Sequence, residues 1–194
     1  MQTIETTKLI DNLRQINGEN IRFVEEHVNL LNEKQLQWKP SAKAWSILEI
    51  FAHLNASAQY YQNIIHKKIL ENKDGDTSTT FTSSPLGLAT WGQVKLGKMR
   101  NIKKRVKSAR VFNPEFFGLA INAQEINRFL QNANSMFEIL EGARKVNLRK
   151  IKLPMAVSKF VHLRLGDALL FHVYHNERHM EQINKNINQP GFPK

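Results

Sequence analysis

The sequence contains no cysteine. Disulfide bonds, thiolate metal sites and a cysteine nucleophile are therefore excluded, together with the small secreted scaffolds that depend on disulfides. No run approaches the roughly 18 apolar residues that a membrane span requires, and the first residues lack the basic start and apolar core of a signal peptide. We therefore expect a soluble protein of the cytoplasm with no membrane partner.

Acidic residues are absent between Asp76 and Glu115, in a chain of 194 residues with a formal net charge of +11. The same stretch carries a cluster of basic residues, which are Lys95, Lys98, Arg100, Lys103, Lys104, Arg105, Lys107 and Arg110. Such runs are usually a solvated face, and this one lacks the interleaved aromatic residues of a single-strand stacking surface. Nucleic acid is therefore not the expected partner, although the charge keeps it as an alternative.

Four long segments have the spacing of apolar residues that is typical of helices, at residues 6–32, 46–71, 122–141 and 165–187. Ser46 with Glu49 predicts a capping box at the start of the second, and Asn122 with Glu125 is another capping signal, at the start of the third. A short basic helix is predicted within residues 91–111, a loop at 72–85 and an extended or irregular segment at 145–161. Nothing predicts β-strands. We therefore expect one all-α domain over residues 1–194, an antiparallel four-helix bundle with a long crossover between the second and third helices.

Histidines provide the most informative chemistry. His175 and His179 are four residues apart on the last predicted helix, so their side chains project from one face. Metalloprotease helices present two imidazoles to a metal in this way, but there a glutamate follows the first histidine, and here Asn176 does. A third ligand would have to come from elsewhere. His53 is the candidate, on the apolar face of the second helix, where a hydrogen-bonded core residue is the ordinary alternative.

Two separated motifs resemble the DinB/YfiT-like superfamily. The motifs are Leu36-x-Trp38-x-Pro40-x-x-x-x-Trp45-Ser46-Ile47-x-Glu49-Ile50-x-x-His53-Leu54, and Asp167-x-Leu169-x-Phe171 with His175-x-x-Arg178-His179-x-x-Gln182-Ile183. The resemblance implies a four-helix bundle that holds a divalent metal with one histidine of the second helix and two of the last. Here these are His53, His175 and His179, and the implied metal is zinc, nickel or another first-row ion.

Three further residues are candidates for roles around that metal. Glu49 precedes His53 by four residues, so it is predicted either to act as a catalytic carboxylate near the ion or only to cap the helix. His172 is expected to support a ligand or to contact the substrate. Arg178 is expected either to face an anionic substrate or to form an ion pair with Glu177 or Glu181.

The resemblance also implies an activity. Some members of the superfamily transfer a low-molecular-weight thiol, such as bacillithiol or mycothiol, to an electrophile, and another is a thiol-dependent isomerase. We therefore expect a metal-dependent thiol transferase of detoxification or stress response, whose thiol comes from a cosubstrate. The alternatives are a metal-dependent hydrolase with Glu49 as its base, and a non-catalytic metal-binding or regulatory protein with a basic face for nucleic acid. A homodimer is compatible with exposed helix faces.

Overall fold

The computed structural model describes residues 3–104, 106–118, 120–156 and 158–194, and it is mostly helical, as predicted. Four long helices pack against one another: α1 (Thr6–Phe23), α3 (Ile47–Glu71), α5 (Gln124–Ala143) and α6 (Leu165–Ile187). None of the helices in the described ranges is long and apolar enough to cross a membrane.

The first predicted helix is shorter than expected. After α1 the chain continues as a π-helical turn, Val24–Val28, and a separate short helix, α2, follows at Glu33–Gln37. Asn32 begins α2 because its side chain accepts a hydrogen bond from the Gln35 backbone, while the Gln35 side chain accepts one from the Asn32 backbone. The capping box predicted at Ser46 and Glu49 is present at the start of α3. At Asn122 the side-chain Oδ1 accepts a hydrogen bond from the backbone N–H of Gln124 (2.9 Å), but no capping box forms there, and Glu125 accepts a hydrogen bond from Asn55.

Short strands are present where the sequence predicted none. Strand β1 (Thr3–Glu5) pairs antiparallel with β2 (Thr80–Thr82), and β3 (Lys152–Met155) pairs antiparallel with β4 (Ser158–Arg164). Three of these strands have only three or four residues, and Pro154 lies within one of them, so no alternating pattern marks them in the sequence. The loop predicted at residues 72–85 therefore contains a strand, and the segment predicted as extended or irregular at 145–161 contains β3 and the first part of β4.

The predicted basic helix at residues 91–111 is wrong. Helix α4 lies earlier, at Pro85–Val94. Among the described residues between α4 and α5, only two short 3-10 turns are helical, Arg110–Phe112 and Pro114–Phe116. A helix through this stretch would stack Arg100 on Lys104 and Lys103 on Lys107, and like charges four residues apart destabilise a helix. We call residues 95–110 the basic segment; its member Arg105 lies outside the described residues.

Two hydrophobic clusters form the core, and a layer of buried polar side chains lies between them. On α6 the first cluster extends to Tyr174 and the second begins at Met180. On α3 the second cluster ends at Leu54 and the first resumes at Tyr61. The buried polar residues of these two intervals, together with His53 directly before Leu54, are His53, Asn55, Ser57, His175, Asn176, Glu177, Arg178 and His179. Buried polar groups are costly unless they have partners. The side chains of this layer are therefore the first candidates for a functional site.

The crossover is attached to the start of α6 by a buried carboxylate. Asp167 is fully buried, and its Oδ2 accepts hydrogen bonds from the backbone N–H of Ser84 (3.1 Å) and from its hydroxyl (2.9 Å). The Ser84 hydroxyl in turn accepts from the backbone N–H of Gly87 (2.9 Å) and caps α4. A Cβ at Gly87 would collide with the Asp167 carboxylate. These contacts fix α4 against α6.

Gly166→Ala is expected to destabilise the fold, whereas Gly92→Ala is not. A Cβ at Gly166 would lie 2.6–2.8 Å from three ring carbons of the fully buried Phe81, while a Cβ at Gly92 on α4 meets nothing within 4 Å. Overpacking should lower the free energy of unfolding by about 1–3 kcal/mol in the first variant, and the second should raise it by about 0.4–1 kcal/mol. Urea denaturation followed by circular dichroism measures both, and equal effects would contradict the packing described here.

Candidate metal centre

Three imidazoles from two helices meet in the polar layer. The His175 Nε2 lies 3.0 Å from the Nε2 of His53 on α3 and 3.2 Å from the Nε2 of His179 on α6. All three side chains are buried, with 4–8% of each residue exposed. Their ligand atoms lie within 4.8 Å of one another, and together they form a group that can hold a metal ion. The centre therefore depends on the packing of α3 beside α6.

Hydrogen bonds at the far side of two rings fix where their protons lie. The Nδ1–H of His53 donates to the backbone carbonyl of Phe112 (2.7 Å), and the Nδ1–H of His179 donates to the Oε1 of Gln182 (3.0 Å). A carbonyl oxygen only accepts, so each of these rings has its proton on Nδ1 and a lone pair on Nε2. Partners of this kind orient the histidine ligands of metal ions in proteins.

The surroundings keep the three rings neutral. Burial lowers the pKa of His53 to about 4, although the hydrogen bond to Phe112 acts in the opposite direction. Burial, and then the neighbouring charges of the other rings and of Arg178, hold the pKa of His175 and of His179 well below the ordinary value. A neutral imidazole is the form that binds a metal.

The donor set fits a divalent first-row ion. Two lone pairs, on His53 and His179, face the Nε2 of His175, which can donate a proton to only one of them, so the cluster by itself leaves a lone pair unmatched. Nitrogen ligands of a tetrahedral zinc ion, at about 2.0–2.1 Å from it, lie roughly 3.3 Å apart, which is near the 3.0 and 3.2 Å observed. Three imidazoles without a fourth protein ligand are typical of a metal site that keeps a position for a substrate.

Aromatic side chains enclose the centre. The Trp45 ring lies 4.9 Å from the ring of His53 and is stacked at 6.3 Å on the ring of His179, measured between centroids. On the other side, the ring of Phe171 is stacked on the ring of His175 at 5.3 Å. The imidazoles are therefore held by packing as well as by hydrogen bonds, and the aromatic surfaces limit the access of water.

His172 lies on the same helix but outside the three-histidine group. It is fully buried, and its Nε2 accepts a hydrogen bond from the Gln62 amide (3.0 Å), which also donates to the carbonyl of Asn132 (3.1 Å). Burial lowers the pKa of His172 to about 4. Its described contacts join α6 to α3, and its expected role beside a ligand or a substrate stays a prediction.

The carboxylate of Glu49 has two partners in the structure. Its Oε2 accepts from the backbone N–H of Ser46 (2.7 Å), which completes the capping box, and its Oε1 binds the Lys39 Nζ (2.6 Å). The capping alternative is therefore observed. Its predicted catalytic role is not tested by this geometry.

Arg178 is placed beside the imidazoles and not in either predicted ion pair. Glu177 lies 3.5 Å from Arg100, and Glu181 lies 3.8 Å from Lys185. Arg178 instead donates from Nη2 to the backbone carbonyl of Lys104 (2.6 Å). The ion-pair alternative for Arg178 is wrong within the described residues, because the guanidinium turns toward the basic segment.

A groove on the described surface is formed by other residues. It has a volume of about 370 Å3 and lies between α1 and α6, lined by residues that include Gln15, Glu19, Arg100, Tyr174 and Glu177. None of the three histidines contributes to it. The groove is therefore not part of the three-histidine centre.

Two outer partners of the imidazoles were not assigned from the sequence. Gln182 follows His179 by three residues, so helical spacing places the two side chains together and was an available signal. Phe112 acts through its backbone carbonyl. Every residue has this group, so the identity of the residue does not predict the contact. Trp45, which belongs to the first of the two motifs, packs on two of the imidazoles.

A known protein family matches most of the chain. The description of the matching family is the DinB superfamily, over residues 19–183, a range that includes His53, His175 and His179. No curated protein and no solved structure matches the chain significantly. The extent of the family match, and its agreement with the three-histidine centre, show that this chain belongs to the DinB superfamily.

Proposed function

We propose that this protein is a metal-dependent enzyme that joins a low-molecular-weight thiol to an electrophilic small molecule at the centre formed by His53, His175 and His179. The observation that carries the proposal is the convergence of three buried, neutral imidazole nitrogens with no fourth protein ligand among the described residues. The ion we propose is zinc or nickel, since imidazole ligands bind either ion.

We also propose that the four long helices form the antiparallel bundle of a single domain, as predicted.

The residues around the ion would have separate roles. A divalent ion held there supplies Lewis acidity, which lowers the pKa of a thiol toward neutral pH. Phe112 and Gln182 hold His53 and His179 with their Nε2 lone pairs inward, and Trp45 and Phe171 shield the rings from water. Because the chain has no cysteine, the sulfur nucleophile has to be a cosubstrate.

The charge around the centre favours an anionic thiol. The described basic residues of the basic segment are exposed, and this segment contacts the centre through Ser108, whose Oγ lies 3.5 Å from the Nδ1 of His53. A positive surface at a site raises the local concentration of an anionic cosubstrate and its association rate. Thiols that carry carboxylates are therefore the first to be screened.

Hydrolysis is the weaker alternative for this geometry. It needs a carboxylate that can accept a proton near the ion, and Glu49 is the candidate from the sequence. Both of its oxygens are hydrogen bonded, to Ser46 and to Lys39, so the geometry gives no specific support to a general base. A catalytic role for Glu49 remains a prediction.

The proposal is tested by thiol consumption. Zinc- or nickel-loaded protein is mixed with a panel of low-molecular-weight thiols and a chromogenic electrophile, and we expect a rate at least about tenfold above the uncatalysed reaction. The His53→Ala variant should lose this rate, and the exposed His162→Ala variant should keep it. A rate that is unchanged in His53→Ala, or that never exceeds the uncatalysed reaction with either ion, would contradict the proposal.

A further inference from the structure

Arg178 is a buried cation with incomplete partners. Only 7% of the residue is exposed. Its Nη2 donates to the carbonyl of Lys104, and its Nη1 is shielded from solvent and has no hydrogen-bond partner in the described part of the chain. Removing a charged group from water without compensation is costly. A guanidinium that keeps a free, buried N–H group is therefore suited to bind something that the protein alone does not supply.

No carboxylate compensates this charge within the described residues. The acidic neighbours on α6, Glu177 and Glu181, pair with Arg100 and Lys185. The crossover has no acidic residue from 77 to 114. The positive charge of Arg178 therefore has no paired carboxylate among the described residues, and a divalent cation on three neutral imidazoles would add further positive charge.

The guanidinium and the imidazoles lie under the same stretch of chain. Lys104 contacts Arg178 through its carbonyl, and Ser108, four residues later, lies 3.5 Å from the ring of His53. On α6 itself, Arg178 is three residues from His175, so the two side chains are neighbours on the helix surface. The guanidinium is therefore the neighbouring cation available to a second group of a ligand bound at the imidazoles.

We propose that Arg178 is an oxyanion-binding residue beside the three-histidine centre, and that the small-molecule substrate has a carboxylate or phosphate group that binds there. The assignment of this group to the substrate rests on the function proposed above. Guanidinium is the side chain that matches the planar geometry of such oxyanions, and its charged hydrogen bonds are short and strong. The free Nη1 supplies the first donor, and Nη2 supplies the second by exchanging the Lys104 carbonyl for the anion.

The probes for a test are inorganic phosphate and malonate, titrated by calorimetry at constant ionic strength into metal-free and zinc-loaded protein. Phosphate binding alone would point to a phosphorylated substrate and malonate binding alone to a carboxylate, and either supports the proposal. We expect Arg178→Gln to weaken the binding by at least about tenfold, as for loss of a charged hydrogen-bond pair. Lys107→Gln, an exposed change in the same positive segment, should change it less than about threefold.

Three results would overturn the inference. The first is binding of both probes by Arg178→Gln as tight as by wild type. The second is an equal loss in Lys107→Gln, which would indicate only a general positive field. The third is absence of binding by the wild type in both metal states. If Arg178→Gln does not fold, Arg178→Lys decides: it keeps the charge without the planar fork, so weaker binding is expected and unchanged binding refutes the role.

The same experiment separates this inference from the proposed function. Binding that depends on Arg178 in metal-free protein does not require the ion or any turnover. If thiol transfer fails while this binding persists, the oxyanion site stands and the proposed reaction falls. If the reaction is found but Arg178→Gln binds both probes normally, the reaction stands and the oxyanion site falls.

Discussion

His175→Ala is expected to abolish tight zinc binding. His175 is the ring that the other two imidazoles face, with its Nε2 at 3.0 and 3.2 Å from theirs, and two imidazoles alone fall below the three protein ligands of an open zinc site. The loss should exceed the roughly 10- to 100-fold effect typical of mutating an outer partner. Competition with a chromophoric chelator measures the affinity.

The control for this variant is His172→Ala. His172 is buried on the same helix but does not belong to the three-histidine group, so its removal leaves a comparable cavity without removing a ligand. Its zinc affinity should stay within about tenfold of wild type, because the His172 ring is hydrogen bonded to Gln62 and not to one of the three ligand histidines. Equal losses in both variants, or none in His175→Ala, would show that the ion is bound elsewhere.

Gln182→Leu is expected to weaken zinc binding by about 10- to 100-fold. The Gln182 Oε1 accepts the Nδ1–H of His179 at 3.0 Å, which fixes the ring with its lone pair toward the other two imidazoles. Leucine has a similar size but accepts no hydrogen bond, so the ring would lose its preferred tautomer and orientation. The same chelator competition measures the change.

A matched variant separates orientation from packing at this position. Gln182→Glu keeps an acceptor for His179 and adds a negative charge, which increases the basicity of the ring. Its zinc affinity should equal or exceed that of the wild type. Weakening by glutamate as large as that by leucine would indicate that Gln182 acts by shape alone, and the hydrogen bond would then have no part in metal binding.

Much of the helical framework could be predicted from local patterns. The spacing of apolar residues predicted α3 and α6 nearly to their ends, and the Ser46–Glu49 capping box is a local signal that the structure confirms. Local signals failed where competing ones lay close together. The first predicted helix ran past Val28 because its apolar spacing continues, while the side chains of Asn32 and Gln35 start a new helix.

The crossover could not be predicted in the same way. Its shape depends on contacts between distant residues, such as the pairing of β1 with β2 and the hydrogen bonds from Ser84 to Asp167. Neither leaves a periodic trace in the sequence. The basic segment is also irregular because its like charges oppose a helix, and the position of a helix nearby, α4, is set by Ser84 and Pro85.

The residues of the candidate centre also differ in whether local spacing predicts them. The His175 and His179 pair is local, so helical spacing alone places both rings on one face. His53 comes from another helix, and its assignment depended on the family resemblance, since an apolar neighbourhood predicts an ordinary core histidine equally well. The contact of Arg178 with Lys104 and the Phe112 carbonyl on His53 require the folded crossover, and no spacing in the sequence predicts them.

Metal content is the most direct test of the central claim that His53, His175 and His179 bind a divalent ion. Elemental analysis is applied to protein purified without an affinity tag, together with the His53→Ala variant. We predict about one first-row ion per chain in the wild type, as in three-histidine sites, and none in the variant. A wild type that contains no metal and takes up neither zinc, nickel, iron nor manganese would contradict the account.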